Sequence, residues 1–143
     1  EPLLARLAGW DDRAGLTALV DGWEALLGEP PLGRATLETF AEGRAGALAT
    51  LAAQIGANPG DAAGAAHGWA LAELAVDLPD PADRAAAARL LGERPRLAAL
   101  PRPLRPLAVL AGTTGRAARR GGAAELYRPG SFVTAVRLGL LGR

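Results

Sequence analysis

Four carboxylates near the middle of the chain, Glu73, Asp77, Asp80 and Asp83, fall within eleven residues. Carboxylates at that density can hold Mg²⁺, a hard cation that takes oxygen ligands and bridges phosphate oxygens. Glu73 and Asp77 stand four apart, the spacing that puts two side chains on one helix face. Glu38 and Glu42 repeat that spacing upstream. Arg44 falls on an apolar stripe, where a charge is costly unless it is paired. It is a candidate for reaching an anionic ligand or diphosphate, and Phe40 and Trp69 are further candidate ligand-binding residues. His67 is the single histidine and a candidate base or ligand. Trp10, Trp23 and Trp69 are candidates for lining a pocket for an apolar chain.

Each of these residues has a plainer reading that its type favours. Asp80-Pro81-Ala82-Asp83 fits a helix N-terminus residue for residue, with Asp80 as N-cap, Pro81 at N1 and Asp83 at N3 on the positive end of the helix dipole. The Glu73/Asp77 and Glu38/Glu42 pairs lie off the apolar stripes and read as solvated surface. Arg44 reads as a stem packed on the core, its head at the rim or paired with a carboxylate. His67 reads as a packed, hydrogen-bonded side chain, and the tryptophans as core. Arg116, Arg119 and Arg120 gather at a helix C-terminus, where they complement the dipole. Their alternative role is docking on an anionic membrane surface.

Glycine and proline divide the chain into the helices that must position these groups. A short piece spans Pro2 to Ala8. Asp11 or Asp12 then caps a helix to Leu27, with Leu16, Leu19, Val20, Trp23, Leu26 and Leu27 as its core stripe. A second helix runs from Thr36 to Ile55, with Leu37, Phe40, Leu48, Leu51 and Ile55 on its stripe. A third, capped by Asp61, ends near Asp77 and carries His67, Leu71, Leu74 and Leu78. A fourth opens at Asp80 and ends near Gly92. A short segment, Arg96 to Leu100, precedes a helix that starts around Pro103 and Pro106 and reaches Arg120. The last runs from Ser131 to about Leu141. Pro79 and Pro81 prevent one continuous helix from presenting Asp80 and Asp83 together.

Composition agrees and narrows the chemistry. Half of the 143 residues are apolar, mostly Ala and Leu, and six are aromatic. Good helix formers abound and β-branched residues are scarce, which predicts an all-α fold in one domain over residues 1–143. With no Cys and a single His, disulfides, thiolate chemistry and a multi-His metal site within one chain are excluded. The cations are all Arg, so Schiff-base lysine chemistry and a phosphate-loop lysine are excluded too. A net charge of +1 provides no overall basic field for nucleic acid. No apolar run reaches the length of a membrane span, and no signal peptide is evident. The expected location is cytoplasmic, with peripheral membrane contact as the variant. Having no Met, the chain reads as a processed or truncated product.

Three segments in order carry a family resemblance: Val20-Asp21-Gly22-Trp23-Glu24-Ala25-Leu26-Leu27, Leu37-Glu38-Thr39-Phe40-Ala41-Glu42-Gly43-Arg44-Ala45-Gly46-Ala47, and His67-Gly68-Trp69-Ala70-Leu71. Together they resemble the later part of the squalene/phytoene synthase domain. Phe40 stands where the family has Tyr, Ala45-Gly46 fits its Ala-Gly, and the third segment looks like its Leu-Gly-x-Ala-Leu helix start. The resemblance implies an antiparallel helical bundle forming part of the isoprenoid-synthase fold. In that family, Mg²⁺ on inward-facing aspartates drives condensation of prenyl diphosphates.

This sequence departs from the pattern at the metal positions. Pro79 replaces the Arg before the first Asp, Asp83 arrives one residue early, and Leu26-Leu27 occupies the place of an Asp-Leu. No counterpart of the family's first aspartate motif is present. The resemblance therefore implies a catalytically degenerate member acting as a binding or assembly module, with a prenyl or other apolar ligand in a groove between helices and with Mg²⁺ required only if catalysis remains. Two alternatives stay open. One is a prenyl transferase whose N-terminal half is absent from this chain; the other is an unrelated helical interaction domain. An apolar face left by a missing half-domain also predicts a homodimer.

Overall fold

In the computed structural model, which describes residues 13–95, 99–120, 122–127 and 129–141, every regular element is helical. The elements are α1 (Arg13–Ala25), α2 (Arg34–Gln54), α3 (Pro59–Asp77), α4 (Pro81–Glu93), α5 (Arg105–Arg120) and α6 (Pro129–Leu141), with short 3₁₀ turns at Arg102–Leu104 and Ala123–Tyr127. The predicted segment Pro2 to Ala8, the Asp11 or Asp12 cap, Trp10 and Arg96–Ala98 lie outside the described residues.

The boundaries follow local chemistry. α2 ends where Gly56 takes a positive φ of 74°. There the Ala57 amide bonds the Ala52 carbonyl at 2.8 Å and the Gly56 amide bonds that of Ala53 at 3.1 Å. This is a Schellman closure, and Ala57 packs against the core cluster that contains Ala52. α3 begins earlier than its acidic residue implies. Asn58, not Asp61, is the N-cap, its Oδ1 accepting from the Gly60 and Asp61 amides. Pro59 can occupy the first turn because the amide it lacks would be unpaired there anyway. The prolines break the chain as expected, with α3 stopping at Asp77 and α4 restarting at Pro81. Arg84 crosses this break, donating from Nη1 to the carbonyls of Leu78 and Pro79.

α3 is the hub of the bundle. It packs on α2, α4 and α5, while α1 packs on α2 and α6 on α5. One core cluster joins α2, α3 and α4 through Leu37, Phe40, Leu71, Leu74 and Leu90, with alanines between them. A second joins the end of α2 and the start of α3 to α5 through Ala52, Ala62, Ala65, Leu100, Leu104 and Ala108. So many buried alanines bring the helix backbones close, since a methyl group fills little space.

The expected core stripe of α1 is corrected in four of its six members, while Leu19 is partly buried and Leu26 packs on the first core cluster. Leu16, Val20, Trp23 and Leu27 are each half or more exposed. The helix meets α2 instead through a glycine face, with Gly15 and Gly22 buried. A methyl group at Gly43 of α2 would stand 2.3 Å from the Ala18 carbonyl oxygen, and one at Gly22 would stand 3.0 Å from the Phe40 Cα. At that separation no bulky side chain fits, so the large residues of α1 turn outward. The helix also stops at Ala25, short of the predicted Leu27.

Gly43→Ala is therefore expected to lower stability by about 1–3 kcal/mol, because α1 must move off α2. Gly46→Ala, three residues on and with nothing within 4 Å, is expected to raise it by up to about 1 kcal/mol through helix propensity. Urea denaturation of the two variants beside the parent chain checks both signs.

Candidate functional site

Two pairs of residues spaced four apart, one on each of two packed helices, build the most chemically loaded point of the molecule. Phe40 and Arg44 share a face of α2; Trp69 and Glu73 share a face of α3. The Arg44 guanidinium carbon lies 4.8 Å from the Phe40 ring centroid and 4.5 Å from that of Trp69. Its Nη1 donates to Glu73 Oε2. From α1, Trp23 meets Phe40 edge to face, with centroids 4.9 Å apart and planes at 82°. The cluster thus runs Trp23, Phe40, Arg44, Trp69 across three helices.

Arginine suits this position for a physical reason. Its flat, weakly hydrated guanidinium stacks on ring faces while its edge bonds a carboxylate. Arg44 is 9% exposed, and burying a charge so far is tolerable only with such partners. The expectation that Arg44 is paired with a carboxylate therefore describes its setting. The reading of Glu73 as solvated surface is corrected: its side chain is 27% exposed and bound to Arg44. Asp77, one turn on, is exposed as that reading had it.

The structure brings Phe40, Arg44 and Trp69 together but leaves the metal candidates apart. Asp80 caps α4, its Oδ1 accepting from the Ala82 amide at 2.8 Å and the Asp83 amide at 3.0 Å. Asp83 is buried and accepts from the Leu32 amide at 2.7 Å, which ties the loop before α2 to the start of α4. Among the described residues no group of three or more His, Asp or Glu side chains is arranged to hold a metal ion.

His67 departs from its expected hydrogen bonding: its Nε2 is buried and has no hydrogen-bond partner among the described residues. Burial, and secondarily the Arg94 guanidinium, hold the imidazole pKa below its ordinary value, against the opposing pull of Glu42 and Glu38. Arg116 is corrected as well. Rather than serving the dipole of α5, its Nη1 reaches the Gly130 carbonyl at 3.0 Å and the Thr134 hydroxyl, binding α6 to α5. Arg119 and Arg120 stay exposed in the last turn of α5.

Sequence reasoning did not pair Arg44 with Glu73, Trp23 with Phe40, or Asp83 with Leu32. The first had a signal, since a charge on an apolar stripe requires a partner on a facing helix. The other two had none, because they depend on how α1 and the loop before α2 are placed. No family model, curated protein or solved structure matches this chain.

Glu73→Ala is expected to cost about 2–3 kcal/mol, below the roughly 3–5 kcal/mol of a fully buried pair because Glu73 is partly exposed. Arg44→Met in that background should recover much of the loss, as an apolar stem replaces an unpaired charge. Chemical denaturation of the four members of this cycle measures the coupling.

For His67 the folded pKa lies below the unfolded value near 6.5. The unfolded chain therefore binds more protons in the window beneath that value. The contribution of His67 is complete above the window and is lost as pH falls through the folded pKa. His67→Leu should flatten the decline of melting temperature over that acidic range, read by circular dichroism at successive pH values.

Proposed function

We propose that this chain is a non-catalytic, squalene/phytoene synthase-like helical module that acts by binding and assembly. The observation that carries this reading is the employment of its carboxylates. Asp80 bonds the first turn of α4, Asp83 bonds the Leu32 amide, and Glu73 bonds Arg44. Turning to a metal would take a carboxylate away from a helix cap, a loop anchor or the buried Arg44 guanidinium, and a buried donor left unpaired costs about 1–3 kcal/mol. Recruiting these groups to Mg²⁺ thus works against the fold.

The binding role rests on what the same helices offer. The half-exposed Trp23 and the partly buried Trp69 provide aromatic surface for a prenyl or other apolar chain at the junction of α1, α2 and α3, with the buried Phe40 as their floor. Arg44 holds these rings in place while its charge is neutralised by Glu73, so the surface is apolar rather than anion-seeking. A homodimer fits the exposed apolar stripe of α1.

The test incubates the purified 143-residue chain with Mg²⁺ and farnesyl or geranylgeranyl diphosphate and measures pyrophosphate release. No turnover is expected, and Mg²⁺ alone should leave the melting temperature unchanged. Mg²⁺-dependent condensation would overturn the reading in favour of a prenyl transferase.

A further inference from the structure

The net charge of +1 conceals a strong division along the chain. Residues 1–93 carry six arginines and fourteen acidic residues, and residues 94–143 carry ten arginines and one acidic residue. Neither α5 nor α6 contains an Asp or Glu. The cationic last third is also the part that closes the bundle with α6, a helix packed on α5 and its following turn.

α6 is oriented against the usual rule for a surface helix. Its inward side bears Thr134, bonded to Arg116, and Leu138, which packs on Gly112. Its outward side bears Val133, Val136 and Leu140, exposed by 65%, 44% and 67%. Spaced three and four apart, these three share one face. Arg137 is exposed beside them, and Arg119 and Arg120 are exposed at the end of α5. Arg116 fastens α6 to α5, so the face is presented on a fixed helix.

We propose that the outer face of α6 docks on an anionic lipid bilayer surface, an assignment that stands whether or not the chain turns over a diphosphate. A bilayer interface supplies both things this face lacks: hydrocarbon for Val133, Val136 and Leu140, and a dense anionic layer for the arginines. Apolar contact and basic charge are the two signals that together make such attachment stable. The acidic part is repelled by the same surface, which orients the molecule with α6 toward the lipid. No helix among the described residues is long and apolar enough to cross a membrane, so the contact is peripheral. A second copy offering its α1 stripe, edged by Asp21 and Glu24, could neutralise only part of this charge, and nucleic acid would leave the apolar residues uncovered.

The experiment floats the full 143-residue chain with vesicles of phosphatidylcholine alone or mixed in equal parts with phosphatidylglycerol. Binding is expected only with phosphatidylglycerol present and should weaken as salt rises. Changing Arg119, Arg120 and Arg137 together to Gln should reduce partitioning on the order of a hundredfold, at about fivefold for each charge. Val133→Asp with Leu140→Asp should abolish it, whereas Val20→Asp on α1 with Leu27→Asp in the turn after it should leave it unchanged. Circular dichroism confirms that each variant is folded, and the arginine set tests the proposal independently should the aspartate pair unfold α6. Equal binding to both vesicles, or none, overturns the proposal. So does self-association by light scattering that both aspartate pairs abolish without any vesicle binding, or binding of duplex DNA without vesicle partition.

Discussion

The guanidinium of Arg44, held between the rings of Phe40 and Trp69 and bonded to Glu73, is the constraint around which the bundle is organised. A buried cation tolerates few surroundings. It needs a carboxylate at one edge and weakly polar faces above and below, and these must arrive from different helices at the right height. That requirement fixes the register of α2 on α3, because a shift by one turn would separate both pairs at once. The alanines between the core leucines are nearly alike from turn to turn and add little to that register. The stack on Phe40 then extends the same constraint to Trp23 and hence to α1.

Small residues explain why the molecule is compact at its centre and apolar at its edges. Gly43 accepts the backbone of α1 so closely that only a hydrogen fits at that position. The close approach maximises contact between backbones but leaves the large side chains of α1 no room on the inner side. α6 repeats the arrangement at the other end of the packing order, with Leu138 seated on Gly112 and Val133, Val136 and Leu140 outside. Glycine-mediated packing therefore leaves exposed apolar residues on both outer helices.

The acidic residues divide in a consistent way. Those that look most like metal ligands perform structural tasks: Asp80 terminates a helix, Asp83 anchors a loop, and Glu73 neutralises a buried arginine. The arginines of the C-terminal region, by contrast, have few carboxylates near them in sequence and include several that remain exposed. Asp21, Glu24 and Asp77 stay exposed, so the structural tasks fall on the few acids that sit where helices or loops meet.

Several features were legible before any coordinates. The abundance of Ala and Leu and the scarcity of β-branched residues dictated helices, because backbone propensity is local. Gly56 and the pair Pro79/Pro81 marked the helix ends, since positive φ and a missing amide are properties of single residues. The Asp80 cap was legible for the same reason. Other features belong to tertiary structure alone. Periodicity identified the apolar stripe of α1 but assigned it to the core, because a helix with both a bulky face and a glycine face can bury either, and only the fit against Gly43 decides. The partner of Arg44, the anchor made by Asp83 and the burial of the His67 Nε2, which has no partner among the described residues, likewise depend on which helices meet. Sequence spacing determines what one helix presents; the packing of several determines what each presented group touches.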